Sequence, residues 1–381
     1  MRERPSKLVT YRFDQLADPI NKRVLPNEAD VERYVGLEHL DPDSLRIRRW
    51  GDTSEVESTK LLFKPGDIIF GKRRVYQRKV AVADFEGICS AHAMVLRAKP
   101  ETVLPEFLPF FMQSDLFMER ALSISVGSLS PTINWKALAK EEFRLPPLQE
   151  QARLVEASLA IEATIDGYRN SLASLNNLRM SFLNDHFLPR LDTGLPLKRV
   201  VDLRSGGTPN RSHECNWGGT LPWASGKDLK VRQLSDTEEH LTEKGWKAAK
   251  IAPAQASLIV VRGMILAHTF PVSVCQVPIA FNQDLRALIA GPKIRPEYLT
   301  AWAEWMGPWF LSRTAESSHG TKRLEAKTIE QATIPVEDHS IQDQLIARHN
   351  QILNEVQSNE FRLNDATALK KKFIQGIVGE S

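Results

Sequence analysis

Five of the eight residues at positions 72–79, KRRVYQRK, are lysine or arginine. Lysine offers a mobile point charge, and arginine a planar fork that matches a phosphate or the edge of a base. That chemistry suits a polyanion. Lys72, Arg73, Arg74, Arg78 and Lys79 are candidate phosphate contacts, and Arg73, Arg74 and Gln77 are candidates for reaching base edges. Arg46 and Arg48, with Arg49, add a second basic group upstream. A loop follows Gly127 from Ser128 to Asn134, and its counterpart near the end of the chain covers 319–323, with Gly320, Lys322 and Arg323. Glycine lets such backbones approach a ligand closely. In the second half of the chain Thr208, Asn210, Arg211, Lys227 and Lys230 are the first choices for nucleic-acid contact.

The same sequence lacks the motifs of other chemistry. Gly206-Gly207-Thr208-Pro209 imitates a phosphate loop, but no GxxxxGK[ST] follows and proline closes it, so a structural turn is the better reading. There is no Asn-Pro-Pro-Tyr or Asp-Pro-Pro-Tyr stretch, no His-Glu-x-x-His, and no glycine-rich cofactor loop after a strand. Glu325-Ala326-Lys327 copies part of a nuclease carboxylate–lysine site without a Pro-Asp upstream. His92, His268 and His319 read as core or surface residues rather than metal ligands. No catalytic site and no metal site are therefore expected.

The whole chain sets the bounds. Its 381 residues suit two or three compact units, and 42% hydrophobic with 25% charged residues is an ordinary globular composition. A formal net charge of +3 means that any polyanion-binding charge is local rather than global. Three scattered cysteines, never in a CxxC pair, fit a reducing cytoplasm and no disulfide framework. No apolar run approaches the roughly 18–20 residues that cross a bilayer, and the charged start has no apolar core of a secretory signal.

The elements that must position these residues are duplicated. A shift of 191 residues lays Pro105-Glu106-Phe107-Leu108 on Pro296-Glu297-Tyr298-Leu299. The same shift lays Leu154, Ile161, Ile165, Leu172 and Phe182 on Leu345, Ile352, Val356, Leu363 and Phe373. Between these anchors the register slips by about two residues, setting Gln149-Glu150-Gln151 against Gln342-Asp343-Gln344. The period exceeds that of a solenoid, so a whole domain is repeated. Each copy opens with short β-branched runs, such as Asp67-Ile68-Ile69-Phe70 and Ser257-Leu258-Ile259-Val260-Val261, and adds helical patches at 105–119 and 296–310.

Each copy closes with a long helix, from 149 to about 187 and from 341 to about 378. Apolar residues recur every 3.5 positions along both, the spacing of a coiled-coil seam. One seam runs Leu154, Ser158, Ile161, Ile165, Tyr168, Leu172, Leu175, Arg179, Phe182, His186, and the other Leu345, His349, Ile352, Val356, Asn359, Leu363, Ala366, Lys370, Phe373, Ile377. The first helix delivers the chain to the second copy, so a paired second helix must return antiparallel. About 38 residues at 1.5 Å each span roughly 57 Å, long enough to set two modules one DNA turn of about 34–36 Å or more apart.

Three stretches carry a resemblance to a known family. Tyr34-Val35-Gly36-Leu37-Glu38-His39-Leu40-Asp41-Pro42, then Lys64-Pro65-Gly66-Asp67-Ile68-Ile69-Phe70-Gly71-Lys72 and Gly87-Ile88-Cys89-Ser90, follow one target-recognition pattern. Ser205-Gly206-Gly207-Thr208-Pro209, Trp217-Gly218-Gly219 and Leu221-Pro222-Trp223 follow another. Leu145-Pro146-Pro147-Leu148-Gln149-Glu150-Gln151 looks like a central spacer. In this order the chain resembles the specificity subunit of type I restriction–modification systems over its full length.

The resemblance implies a non-catalytic, cytoplasmic phage-defence protein that reads an asymmetric bipartite target in double-stranded DNA. It would carry no cofactor itself. Two copies of an adenine methyltransferase subunit would bring S-adenosylmethionine, and restriction subunits would bring ATP and Mg. The expected fold is α+β. Target-recognition domains at 1–146 and 191–338 would be separated by antiparallel coiled-coil helices at 147–190 and 339–381, as a pseudo-two-fold internal repeat. The alternative is a DNA-binding scaffold of another phage-defence complex, or a regulator.

Overall fold

A computed structural model describes residues 8–316 and 321–376 of the chain. Two compact units emerge, one made of Met1–Arg169 with Phe361–Ser381 and the other of Asn170–Glu360. Among the described residues no helix is long and apolar enough to cross a membrane.

In the first unit, strand Val9–Arg12 pairs antiparallel with Glu142–Leu145, so the module begins and ends at one place. A four-stranded sheet runs in the order Ala17–Pro19, Met94–Ala98, Ile68–Phe70, Val80–Val82. Both of its faces are covered. Ile68, Phe70, Met94 and Leu96 enter one core, while Ile69, Ala81 and Val95 enter another. That period-two split explains why Ile68-Ile69-Phe70 is apolar throughout rather than alternating. A five-stranded sheet, in the order Arg23–Val24, Lys60–Phe63, Gly87–Cys89, Arg33–Val35, Gly51–Asp52, completes the module. The helical patch at 105–119 is two helices, Phe107–Met112 and Asp115–Ser123. Ser114 restarts the second, its hydroxyl accepting the Phe117 N–H at 3.2 Å.

In the second unit, Leu195–Pro196 pairs antiparallel with Thr333–Ile334 and closes the module in the same manner. Its five-stranded sheet runs Val201–Ser205, Leu285–Ala290, Ser257–Val260, Val272–Cys275, Gln233–Leu234. Leu258 and Val260 face one core and Ile259 the other. A four-stranded sheet holds Trp217–Ala224, and a three-stranded one joins Arg262–Gly263, Lys322–Arg323 and Ala315–Glu316. Helices Pro296–Trp305 and Gly307–Leu311 divide at Met306, and Pro308, early in the second, has no N–H to continue the first.

Two long helices follow the modules, Leu148–Phe187 and His339–Gly376. Every described seam position is buried or half-buried, and Ile377 lies outside the described residues. Within the first unit Val155 and Ile374 share a core, and Lys370 meets Glu162 at 2.5 Å. Within the second unit Leu183 and Leu345 share a core, and further along Arg179 faces His349. Numbers rise on one helix as they fall on its neighbour, so the pairing in each unit is antiparallel. The fold is α+β, with strand-rich modules alternating along the chain with long antiparallel helices.

The opening of each helix is locked by one buried glutamine. Gln151 accepts the Leu104 N–H at 2.9 Å and donates to the Pro146 carbonyl at 2.9 Å. Gln342 accepts the Arg295 N–H at 2.8 Å and donates to the Glu337 and Lys293 carbonyls at 2.8 and 2.9 Å. The partners Leu104/Arg295 and Pro146/Glu337 stand 191 residues apart, as do the glutamines. This corrects the two-residue slip expected here: Gln151, not Gln149, is the counterpart of Gln342. The shared task is satisfying the same backbone groups, which fixes the register more strictly than the flanking prolines do.

Candidate nucleic-acid interface

In the first unit the structure joins two sequence-distant candidates. Arg73 bridges Thr132, the Arg74 N–H reaches the Pro131 carbonyl at 2.8 Å, and the Ile133 N–H reaches the Lys72 carbonyl at 3.0 Å. The basic run and the Ser128–Asn134 loop thus form one edge. Gly127, at φ +111°, makes the turn that an L side chain rarely adopts. Arg74 (φ +58°) and Arg78 (φ +53°) flank a tight turn at Val75–Gln77, backbone strain concentrated on the basic run itself.

The candidates on this edge face different ways. Arg74, Ser128 and Asn134 are exposed, and Gln77 is half-exposed. Arg73 is turned to His92, 3.0 Å away, where burial and then Arg73 lower the imidazole pKa. Lys72 is half-buried, and desolvation lowers its pKa, with the Arg23 charge acting in the same direction.

Other members of the basic set hold the module together. Arg46 and Arg48 grip Asp166 of the first long helix at 2.9 and 2.7 Å. Arg78 joins Asp43 and Asp115 at 3.0 and 2.8 Å, and Lys79 donates to the Leu37 carbonyl at 2.6 Å. Three residues not singled out in the sequence stand out beside the edge. Tyr76 is 56% exposed, Val126 79% and Leu129 92%. An aromatic flanked by arginines was the available signal, since such pairs suit base stacking.

In the second unit, Gly206 packs against the chain so closely that a Cβ would stand 2.0 Å from the Asn282 carbonyl oxygen. Gly206-Gly207-Thr208-Pro209 is therefore a structural turn. Beyond it Thr208 donates to Gln283 at 2.6 Å, and Asn210 accepts the Ser212 N–H at 2.9 Å. Arg211 lies 4.0 Å from the Trp217 ring centre and 4.9 Å from that of Trp223, while forking onto Glu239. The hydrogen bond to Glu239 raises its pKa despite some burial. The fork is thus held on an aromatic platform. Lys227 and Lys230 are 61% and 70% exposed, with Glu238 at 3.5 and 3.7 Å, so they are only loosely held.

Lys322 pairs with Glu316 at 2.9 Å in the hairpin, whereas Arg323 has no side-chain partner among the described residues. His319 and the rest of 317–320 lie outside those residues. Arg262 pairs across to Arg323 as Arg73 pairs to Thr132, and Thr132 and Arg323 are 191 residues apart. Arg262 and Arg286 were missed in the sequence because each is a lone arginine at a strand. What the two edges offer is guanidinium, ammonium and amide donors on hairpins and turns, the donor set for phosphate oxygens and base edges.

The chain's likenesses agree with that donor set. Residues 41–176 match the type I restriction modification DNA specificity domain. The specificity subunit of the EcoDI type I restriction enzyme of Escherichia coli is 33% identical over 189 residues, covering 48% of this chain and 42% of that protein. The EcoR124I/EcoR124II specificity subunit of the same organism is 28% identical over 144 residues, covering 37% of this chain and 36% of that protein. The alignments thus span less than half the length of these relatives.

Two solved structures share the fold across the chain. One comes from work on complex assembly and conformational transition of a type I restriction–modification system (TM-score 0.60, 21% identity, 99% of this chain and 98% of that one). The other is the type I restriction–modification S subunit from M. genitalium (TM-score 0.57, 14% identity, 100% and 98%). A family domain over one module and its helix, relatives of one kind, and a fold shared end to end converge: residues 41–176 match the type I restriction–modification DNA specificity domain, and the chain is similar to type I specificity subunits.

Proposed function

We propose that this chain is the non-catalytic DNA-recognition subunit of a type I restriction–modification complex, reading an asymmetric bipartite target in double-stranded DNA. Each module, 1–146 and 191–338, would read one half-site, and the helical segments 147–190 and 339–381 would set the gap. The observation that carries this reading is a contrast. The glutamine locks repeat at a constant shift of 191 residues, while the outward-facing edges differ. A repeated frame with divergent readers suits two unlike half-sites at a fixed spacing.

Leu178 and Leu369, equivalent under the same shift, are 54% and 56% exposed. An apolar residue presented twice suits two copies of one partner, here an adenine methyltransferase subunit. That subunit would bring S-adenosylmethionine, and ATP-dependent restriction subunits with Mg would join it in the cytoplasm. No cofactor is assigned to this chain. Exchanging residues 195–337 for the matching module of another family member tests the division of labour. Methylation mapping should show one half-site changed and the other kept; changes in both would overturn the modular reading.

A further inference from the structure

The second unit holds a pocket of about 220 Å³ lined by Ser205, Arg262, Gln283, Arg286 and Arg323. Three guanidiniums border it, and two of them, Arg262 and Arg323, are exposed with no side-chain partner among the described residues. The third is held from behind. Arg286 Nη2 donates to Ser205 Oγ at 3.2 Å, and Nη1 is ion-paired with the Glu330 carboxylate at 3.7 Å, outside hydrogen-bond distance. Arg286 Nη1 is fully buried and makes no hydrogen bond. A buried N–H without a hydrogen-bond acceptor is costly, and the distant Glu330 supplies charge but no hydrogen bond, so this donor favours an incoming oxyanion. Asp284 also borders the pocket, but its carboxylate accepts Asn282 Nδ2 at 3.3 Å, and its main-chain carbonyl takes the Val261 and Arg262 N–H groups.

A water occupies about 30 Å³ of liquid, so the pocket has room for a tetrahedral oxyanion. Arginine forks bind such oxyanions by paired charge-assisted hydrogen bonds. The pocket's rim favours a polymer over a free ion. It includes the base of the Lys322–Arg323 hairpin, and Gln283 ties it to Thr208 on the Gly206-Gly207 turn. The shift of 191 residues does not carry the trio into the first module: the position of Arg323 is Thr132, and that of Arg286 is Val95.

We propose that Arg262, Arg286 and Arg323 form a phosphate-binding pocket in the second module that seats one backbone phosphate of bound duplex DNA. This rests on the DNA-recognition reading above and adds the place where the second module fixes its register on the backbone. Both outer arginines are exposed, so the double variant Arg262→Gln/Arg323→Gln leaves the core untouched, and its melting temperature serves as the folding check. The full chain and this variant are titrated with mixed-sequence duplex DNA between about 50 and 200 mM salt.

Losing one phosphate contact should flatten the log–log salt slope by about 0.9 and weaken binding about tenfold near 0.1 M salt. Arg286→Met should give the same flattening. A wild-type slope in both variants overturns the pocket while leaving DNA recognition intact. No duplex binding by the wild-type chain overturns the DNA reading itself. Inorganic phosphate is run in parallel. If it stabilises the wild type alone while the variants keep the wild-type salt slope, the pocket takes a free anion and the proposal fails.

Discussion

Replacing Gln342 with leucine tests the lock that fixes the second module to its helix. Gln342 is fully buried and serves the Arg295 N–H and the Lys293 and Glu337 carbonyls at 2.8–2.9 Å. Leucine matches the glutamine closely in size, so little cavity forms and the loss is almost wholly polar. One orphaned buried N–H costs about 1–3 kcal/mol, and the two carbonyls, each with a second lone pair, add less. The expected destabilisation is about 3 kcal/mol, read as a lower urea midpoint at unchanged slope in equilibrium unfolding of the full chain. Gln151→Leu should cost less, because Gln151 holds one N–H and one carbonyl. A loss below about 1 kcal/mol for Gln342→Leu would refute the claim that this side chain positions the module.

Two further outcomes follow from burial. His349 is 2% exposed, and burial, followed by the charges of Arg232 and Arg179, lowers its pKa to about 3. Glu304, 3.9 Å away, is already engaged by Arg232 at 2.8 Å and Arg179 at 3.7 Å, so it does little to hold a proton on the ring. With the unfolded pKa near 6.5, the stabilising contribution is full above that value and is lost as pH falls towards 3. Between pH 7 and pH 5 the linkage removes about 2 kcal/mol, and His349→Leu should lack that share of the pH dependence in urea titrations. An unchanged pH dependence in the variant would contradict the burial argument. For the thiols, burial pushes Cys89 and Cys275 up to about 12, whereas Cys215 is exposed. A disulfide reagent at neutral pH should therefore label Cys215 quickly and the other two only after unfolding; fast labelling of all three would count against the packing.

The parts legible in the sequence are those governed by periodicity. A 3.5-residue repeat located the seam from Leu154 to His186, because burial on one face is a property of spacing alone. The same logic found Ile68-Ile69-Phe70 and Leu258-Ile259-Val260, although not that both faces of each strand are covered. Charge was legible only as amount. Composition marks Arg46, Arg48 and Arg78 as basic but carries no direction, and all three point to carboxylates of their own unit. Arg262 and Arg286 stayed hidden for the opposite reason. They are isolated in sequence, and strand pairing alone brings Arg262 beside Arg323.

Under the proposed function, a repeated frame carries two unlike readers. The most direct test is single-molecule mapping of methylated adenines in the DNA of a host that expresses this chain with its methyltransferase. One motif is expected, split into two different half-sites by a gap of fixed length and unspecified sequence. A continuous motif, or two identical halves arranged as a palindrome, would contradict it.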